Sequence, residues 1–162
     1  MDIITATAIM MATINGFSAN KQMVYNPTIE GNVVTSLEVM EKQEDSNLLT
    51  LKCKEVFAYD DEERLVQKEV WNWNSQKMEW QKSHCWNYTY VEEGYTVEFA
   101  CWNCKDASYS CHMKKQEVNE GIDGTLVVTQ YIRNQANNDW QLTESYLMLR
   151  PDDVLLATTL MN

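Results

Sequence analysis

From residue 31 to residue 149, apolar and polar side chains alternate with a period of two, and no apolar stripe of helical spacing interrupts them. Such alternation is typical of strands that bury one face, because successive side chains point to opposite sides of a sheet. Short polar turns divide the region into candidate strands at residues 32–41, 48–59, 64–73, 78–90, 95–104, 108–119, 124–134 and 139–149. The pattern predicts an all-β fold, an antiparallel meander of about eight strands that forms a single sheet or a curled, open barrel-like one.

The stretch LVQKEVWNWNSQKMEWQKSHCWNYTY, residues 65–90, predicts one hairpin together with its register. If residues 74–77 form the loop, apolar side chains oppose each other and opposite charges oppose each other across the two strands. Cross-strand pairs of these kinds each contribute roughly 0.2–1 kcal/mol, which favours this register over a slip by one residue. The expected pairs are Trp73 with Met78, Trp71 with Trp80, and Glu69 with Lys82.

The hairpin has a weakly similar copy further along the chain. When the sequence is aligned with itself at an offset of 60 positions, Trp71 aligns with Tyr131 and Trp80 with Trp140 without a gap. An offset of 31 gives a weaker match. A hairpin of about 30 residues cannot bury its aromatic face alone, but it can do so beside copies of itself. We therefore expect residues 31–149 to form one domain, a single sheet built from repeated hairpins.

The residues of this region carry a resemblance to a known family. Tyr59-Asp60, then a turn, Arg64-Leu65-Val66, EVWNWN and a single Trp80 resemble the tyrosine-aspartate repeats of bacterial cell-surface proteins. Over roughly residues 20–150 the chain is similar, more specifically, to a family of small exported proteins of Bacteroides-type gut bacteria with a domain of unknown function. The resemblance implies an exported, all-β, repeat-built protein and brings no catalytic residues with it.

The first 30 residues differ from the rest of the chain. Residues 3–14 form an uncharged apolar run, and Gly16, Ser18 and Ala19 supply the small residues that a signal peptidase needs. We expect residues 1–19 to be a signal-peptide-like leader and residues 20–30 to be a linker, so that the protein is exported to the periplasm, the outer surface or the medium. No basic residue precedes the run, and the alternative is a short buried helix or strand.

Charge excludes two classes of partner. The chain of 162 residues has a formal net charge of −11, so nucleic acids and anionic membrane surfaces would repel it. No apolar run reaches the roughly 18–20 residues that a membrane-spanning helix needs. We expect a partner at the cell surface, either a protein or a glycan.

The five cysteines are Cys53, Cys85, Cys101, Cys104 and Cys111. In an exported protein they predict disulfides with one thiol left over, and the pairing of Cys101 or Cys104 with Cys111 is favoured, with Cys85 on the neighbouring strand. The rival hypothesis is a zinc site, because Cys101-x2-Cys104, Cys111-His112 and His84-Cys85 supply ligands of the right type. One such cysteine pair without a second is at best a moderate zinc signal, so we expect no metal and no other cofactor.

The sequence gives little support for catalysis, although Cys85 or Cys111 with a histidine offers a nucleophile and a base. The nucleophile-elbow, zinc-protease, phosphate-loop and dinucleotide-binding motifs are all missing, and only His84 and His112 offer an imidazole base. Acidic pairs such as Asp60-Asp61 and Glu92-Glu93 lie in predicted turns, where solvated side chains are the ordinary case. We expect a non-catalytic binding or structural module.

The aromatic residues provide the candidate binding surface. The chain has six tryptophans and eight tyrosines, more than a small sheet protein needs for its core. An exposed row of such rings stacks on sugars or on apolar protein surfaces, whereas the alternative is that the rings form the core. The candidate ligand-binding residues are Trp71, Trp73, Trp80, Trp86, Tyr88 and Trp102.

The C-terminal tail, residues 150–162, contains Pro151, two aspartates and an apolar run. It is predicted to form a short helix or a strand, which covers the sheet edge or packs against a partner. Oligomers are therefore expected through the edge strands or through this tail.

Overall fold

A computed structural model describes residues 22–31, 33–43, 46, 48–121, 125–134 and 136–148 of the chain. These residues form one antiparallel sheet in which every strand pairs with the strands that precede and follow it in the chain. No helix occurs in the described ranges. The strands are β1 (Met23–Glu30), β2 (Val33–Lys42), β3 (Leu49–Tyr59), β4 (Leu65–Asn74), β5 (Glu79–Val91), β6 (Gly94–Asn103), β7 (Ser108–Glu120), β8 (Leu126–Arg133) and β9 (Trp140–Met148).

The predicted all-β meander is confirmed, with nine described strands in place of about eight. The eight expected strands correspond to β2–β9, and their bounds agree within two residues. The additional strand is β1, which lies in the segment expected to be a linker. Pro27 is compatible with this strand, because proline cannot donate to a ladder but is tolerated on an edge, and β1 is at the edge of the described strands. The 30-residue repeat stays a prediction.

The register predicted for the β4–β5 hairpin was partly wrong. The turn consists of residues 75–78, so Met78 lies in the turn, with a φ of 56°, and does not pair with Trp73. Trp73 instead contacts Trp80, with ring centroids 5.1 Å apart. Glu69 and Lys82 do form an ion pair, since the Lys82 Nζ lies 3.1 Å from a carboxylate oxygen of Glu69, but their position directly opposite each other stays a prediction.

The turn of this hairpin has counterparts in two others. In each case an asparagine at the end of the first strand accepts a hydrogen bond from the backbone N–H two residues later, and the fourth residue after the asparagine has a positive φ. The asparagine fixes the start of the turn, and the left-handed residue returns the chain to the sheet. The pairs are Asn74 with Met78, Asn103 with Ala107, and Asn134 with Asn138.

The chain divides into two compact units. The first unit contains β1–β4, β5 as far as Trp86, and the segment Cys101–Cys111; the second contains Asn87–Ala100 and the chain from His112 onward. We refer to them as the first unit and the second unit.

The core of the first unit lies on one face of β2–β4. Leu37 and Val39 are buried on β2 opposite Glu55 and Cys53 of β3, and Val70 of β4 lies opposite Glu55 on its other side. Because side chains alternate along a strand, Glu69 and Trp71 point to the other face of the sheet. One face of the first unit is therefore the core, and the other is available for the aromatic residues.

The core of the second unit is smaller. Ala100, Val118 and Val128 are buried, and Val118 pairs with Val128 across β7 and β8. Gly94 begins β6 and is buried, and a Cβ atom built on it would lie 2.0 Å from the carbonyl oxygen of Val118. Because the backbone at Val118 passes so close to Gly94, there is no room for a side chain at this position.

Two predicted segments, the leader at residues 1–19 and the tail at residues 150–162, lie outside the described residues. None of the residues that the structure describes form a helix long and apolar enough to span a membrane.

Candidate functional site

Five aromatic side chains of the first unit lie on one face of the sheet, opposite the core. Trp71 and Trp73 are two residues apart on β4 and so share a face, and Trp73 meets Trp80 of β5 edge to face at an interplanar angle of 66°. Trp102 of β6 meets Tyr109 of β7 in the same way, with centroids 4.9 Å apart at 69°. All five side chains are half-buried. We call Trp71, Trp73, Trp80, Trp102 and Tyr109 the aromatic platform.

Lys82 holds the platform together. Its Nζ lies 4.9 Å from the ring centroid of Trp71, 4.8 Å from that of Trp102 and 5.3 Å from that of Tyr109. An ammonium group over aromatic faces is attracted by the ring quadrupole, most strongly where water is excluded. Lys82 thereby connects rings that come from β4, β6 and β7.

Glu69 balances the charge of this lysine. One carboxylate oxygen of Glu69 lies 3.1 Å from Lys82 Nζ, and the other accepts a hydrogen bond of 3.1 Å from the indole N–H of Trp71. The hydroxyl of Tyr109 is buried and has no hydrogen-bond partner among the described residues. Burial, with the Glu69 carboxylate nearby, raises the pKa of Tyr109 well above its ordinary value. Tyr109 therefore stays neutral, and the platform carries one compensated cation.

Polar side chains lie along the turn end of the platform. The amide nitrogen of Asn74 donates to the side-chain oxygen of Gln81 at 3.2 Å, and Gln81 donates to Glu79 at 3.0 Å. Beyond Trp102, the amide nitrogen of Asn103 donates to Asp106 at 2.5 Å. Half-buried rings are thus bordered by amide and carboxylate groups that can accept or donate hydrogen bonds.

Four of the six residues predicted as ligand-binding come together here, namely Trp71, Trp73, Trp80 and Trp102. The other two, Trp86 and Tyr88, are half-buried further along β5, outside the platform. Sequence reasoning missed the central position of Lys82. A signal for Tyr109 was present, because it follows Trp102 by seven positions, as Trp80 follows Trp73.

A second aromatic cluster lies in the second unit. Lys115 Nζ lies 4.5 Å from the ring centroid of Tyr131 and 5.5 Å from that of Trp140, which also lies 5.0 Å from the Arg133 guanidinium. The Glu117 carboxylate forms an ion pair with Lys115 at 2.7 Å and accepts a hydrogen bond from the Tyr131 hydroxyl at 3.0 Å. The cluster has two aromatic rings and two cations, so it presents a more charged surface than the platform.

A buried ion pair lies on the core face of the first unit. Lys68 Nζ is 2.7 Å from Glu55, and the two side chains are only 15% and 7% exposed. Burial lowers the pKa of His84, as does the nearby Lys68 cation, while Glu55 opposes the shift.

Burial, together with Glu55, raises the pKa of the Cys53 thiol to about 11. A thiol with such a pKa is protonated at neutral pH and is a poor nucleophile.

The cysteines provide no assembled site in the described part of the chain. Cys53, Cys85, Cys101 and Cys104 are not joined to one another by disulfides; Cys85 is fully buried and Cys104 is exposed. The described residues contain no group of three or more histidine, cysteine or acidic side chains that could hold a metal ion. The side chain of Cys111 is outside the described set, so disulfides that involve it stay a prediction.

The remaining histidine and the acidic turns have structural partners. His112 Nδ1 lies 3.1 Å from Glu98 in the second unit. In the β3–β4 turn, Asp60 accepts hydrogen bonds from the backbone N–H groups of Glu62 and Arg64 and from the Arg64 guanidinium. This acidic turn is a closed loop held by Asp60.

Comparison with known proteins places the chain among proteins of unknown function. A model of a family of unknown function, DUF3836, matches residues 1–120. No curated protein matches the chain. The expected relation to a Bacteroides-type family with a domain of unknown function is confirmed, and the tyrosine-aspartate repeat stays a prediction.

Three solved structures share the fold. A protein of unknown function from Bacteroides fragilis NCTC 9343 is 24% identical, with a TM-score of 0.71 over 84% of this chain and 96% of its own. A DUF3836 family protein from Parabacteroides distasonis ATCC 8503 is 18% identical, with a TM-score of 0.56 over 62% and 92%. Another from Bacteroides vulgatus ATCC 8482 is 21% identical, with a TM-score of 0.50 over 78% and 98%. Because the family match covers most of the 162 residues, the chain belongs to DUF3836, a family of unknown function.

Proposed function

We propose that the protein is an exported, non-catalytic binding module of the bacterial envelope that binds a neutral carbohydrate on the aromatic platform. The observation that carries this proposal is the platform itself, in which five half-buried rings lie on the sheet face opposite the core. Tryptophan and tyrosine side chains combine a large apolar surface with a polar group, which suits a ligand that is apolar on one face and polar at its edges. Sugar rings have this character.

The arrangement of the rings favours an extended ligand. Trp73 with Trp80 lies across β4 and β5, and Trp102 with Tyr109 lies across β6 and β7. Neighbouring strands are about 4.8 Å apart, so the two ring pairs are separated by about 10 Å across the sheet. A chain of several sugar units can reach both pairs, whereas a single unit reaches one.

The charges favour a neutral ligand. Among the described residues, Lys82 contacts the platform rings and is neutralised by Glu69. Lys54 of β3 lies opposite Trp71, and Glu79 and Asp106 lie along the turn end. An anionic polysaccharide would meet these carboxylates and a chain of net charge −11. A neutral glycan avoids this repulsion, and the bordering amides of Asn74, Gln81 and Asn103 can form hydrogen bonds with its hydroxyls.

Export rests on the leader-like residues 3–14 and on the resemblance to exported proteins. Intact-mass measurement on protein recovered from its native host tests it. We expect a chain that lacks about the first 19 residues, in the periplasmic, surface or medium fraction. A chain that retains residues 1–19 in the cytoplasmic fraction would refute export.

Isothermal titration with soluble neutral polysaccharides, a glucan, a mannan and a galactan, tests the platform as the binding site. We expect at least one to bind, and Trp73→Ala and Trp102→Ala each to weaken that affinity by about tenfold or more, which corresponds to about 1.4 kcal/mol. Trp140→Ala, which removes a half-buried tryptophan of the second unit, is the matched control and should bind as the unaltered protein does. Equal losses in all three variants, or binding of polygalacturonate alone, would overturn the proposal, as would binding of none.

A further inference from the structure

The turn between β8 and β9 is built on the same plan as the two turns that carry the ring pairs of the platform. In each, one side chain precedes the turn asparagine, a second follows the asparagine by six positions, and the two side chains contact each other. The two groups are 5.1 Å, 4.9 Å and 5.0 Å apart in the three turns. In the third turn a guanidinium replaces the first ring. The pairs are Trp73 with Trp80, Trp102 with Tyr109, and Arg133 with Trp140.

The turn fixes the position of the Arg133 guanidinium. Arg133 lies opposite Trp140 in the ladder between β8 and β9, and its Nε donates a hydrogen bond of 2.8 Å to the side-chain oxygen of Asn138, the left-handed residue of the turn. No carboxylate of the described residues forms an ion pair with Arg133. With Nε occupied, the Nη groups remain to bind a carboxylate through parallel hydrogen bonds.

The other cation of the cluster, Lys115, already has an anionic partner. Its Nζ lies 2.7 Å from Glu117, and the hydrogen bond from Lys115 holds the pKa of that carboxyl below its ordinary value, so Glu117 is ionised at neutral pH. Glu117 also accepts the hydrogen bond of the Tyr131 hydroxyl. Lys115, Glu117 and Arg133 together therefore carry one positive charge, which is the charge of Arg133.

The surroundings of Arg133 suit a short anionic ligand better than a polyanion. Asp139 is exposed beside Trp140, and the chain has a net charge of −11, which disfavours a long run of negative charges. At physiological ionic strength, however, exposed charges more than about 8 Å apart are largely screened, so a short ligand responds mainly to the groups that it contacts. Here those groups are a guanidinium and the half-buried indole of Trp140, which offers an apolar surface to a sugar ring.

We propose that Arg133 and Trp140 form a second binding site, within the second unit, for a uronic acid residue of a glycan. The guanidinium binds the carboxylate, and the indole binds the apolar face of the sugar ring that carries it. Lys115 lies over Tyr131 and Trp140 and keeps the two rings in position. The site takes a different class of ligand from the platform, and it does not depend on the platform binding a neutral glycan.

NMR titration of the Trp140 indole N–H signal with digalacturonate and with its dimethyl ester tests the site on the unaltered protein. The ester keeps the sugar rings but removes their negative charges. We expect a saturable shift with digalacturonate and an affinity for the ester that is about tenfold weaker or more. Sodium acetate at the same carboxylate concentration should give no saturable shift. An equal response to acetate would overturn the assignment to a sugar.

Arg133→Gln removes the guanidinium, and Lys114→Gln is the matched control. Lys114 is exposed on β7 and carries the same charge, but as the neighbour of Lys115 it points to the opposite face of the strand. We expect Arg133→Gln to weaken digalacturonate binding by about tenfold or more, and Lys114→Gln to change it by less than about twofold. Unchanged indole signals of the other tryptophans show that the variants are folded.

Three results would overturn the proposal. They are the absence of a Trp140 shift with digalacturonate, equal affinities for the acid and the ester, and equal losses in Arg133→Gln and Lys114→Gln. The comparison of acid and ester needs no variant, so it decides the matter even if Arg133→Gln does not fold. The platform tryptophans are not involved in any of these outcomes, so failure here is distinguishable from failure of the proposed function.

Discussion

Gly94 is a position at which a single added atom would disturb the structure. A Cβ there would lie 2.0 Å from the Val118 carbonyl oxygen and 3.0 Å from the Asn119 Cα, both of which are backbone atoms. Backbone cannot move aside as a flexible side chain does. Gly94→Ala should therefore lower the free energy of unfolding by about 2 kcal/mol or more, measured by urea denaturation.

Gly31→Ala is the control for this prediction. Gly31 has a φ of 61° but no heavy atom within 4 Å of an added Cβ, so alanine there meets only backbone strain. We expect a loss of about 1 kcal/mol. If Gly94→Ala cost no more than Gly31→Ala, the close approach of β6 to Val118 would be wrong.

His84 makes stability depend on pH. Burial and the Lys68 cation lower the pKa of His84 in the folded protein below its usual 6.5, and the partly opposing Glu55 belongs to the same cluster. As the pH falls below about 6.5, the unfolded chain takes up a proton before the folded one does, so stability is present above that pH and declines below it.

Urea midpoints measured between pH 8 and pH 5 check this sign. The unaltered protein should lose stability below about pH 6.5, and His84→Gln should lose less over the same range. Equal pH profiles for the two proteins would show that His84 does not titrate differently on folding.

At the scale of strands, Lys82 links elements that no local sequence signal joins. It lies on β5 and contacts rings from β4, β6 and β7. Each partly desolvated cation–π contact contributes between roughly 0.5 and 2 kcal/mol. Removing the Lys82 ammonium would also remove the ion-pair partner of Glu69. Lys82→Met should therefore lower the free energy of unfolding by about 2 kcal/mol and reduce the near-ultraviolet circular dichroism of the tryptophans.

Lys77→Met is the comparison, since the Lys77 side chain is 64% exposed and lies 3.8 Å from Glu79. Exposed ion pairs contribute little, so this variant should change stability by less than about 0.5 kcal/mol. Similar losses in the two variants would contradict the central position of Lys82.

Period-two alternation was sufficient to locate β2–β9. It reflects a buried face in strands such as β2, where Leu37 and Val39 are buried, whereas eight of the nine residues of β9 are exposed. It failed for β1, which lies in the segment expected to be a linker. β1 contains Pro27, and its place at the edge of the described strands, where proline is tolerated, is a property of the assembled sheet. It also misplaced the β4–β5 turn by one residue, because the left-handed conformation of Met78 has no sequence signal as strong as a glycine.

The candidate site was predictable only in part. Trp71, Trp73 and Trp80 could be placed on one face from spacing alone, because alternate residues share a face. The contact of Lys82 with Trp102 and Tyr109 could not, since it depends on how β5, β6 and β7 lie beside one another. Long-range pairing of that kind is set by the tertiary structure and not by local pattern.

On the scale of the whole molecule, the sheet uses its two faces differently in the first unit. The core face holds Leu37, Val39, Phe57 and the buried Glu55–Lys68 pair, and the opposite face holds the aromatic platform. Because the core lies on one face of the sheet, the rings on the opposite face are available to bind a ligand. This division is what the proposed binding function requires of the fold.

The most direct test follows the six tryptophan indole N–H signals of nitrogen-15-labelled protein by NMR as a neutral oligosaccharide is added. Signals are assigned by single Trp→Phe substitutions. We predict that the signals of Trp71, Trp73, Trp80 and Trp102 shift together with one dissociation constant, while that of Trp140 stays in place. A shift of the Trp140 signal as large as those of the platform, or no shift with any oligosaccharide from the polysaccharides tested, would contradict the platform as a carbohydrate-binding surface.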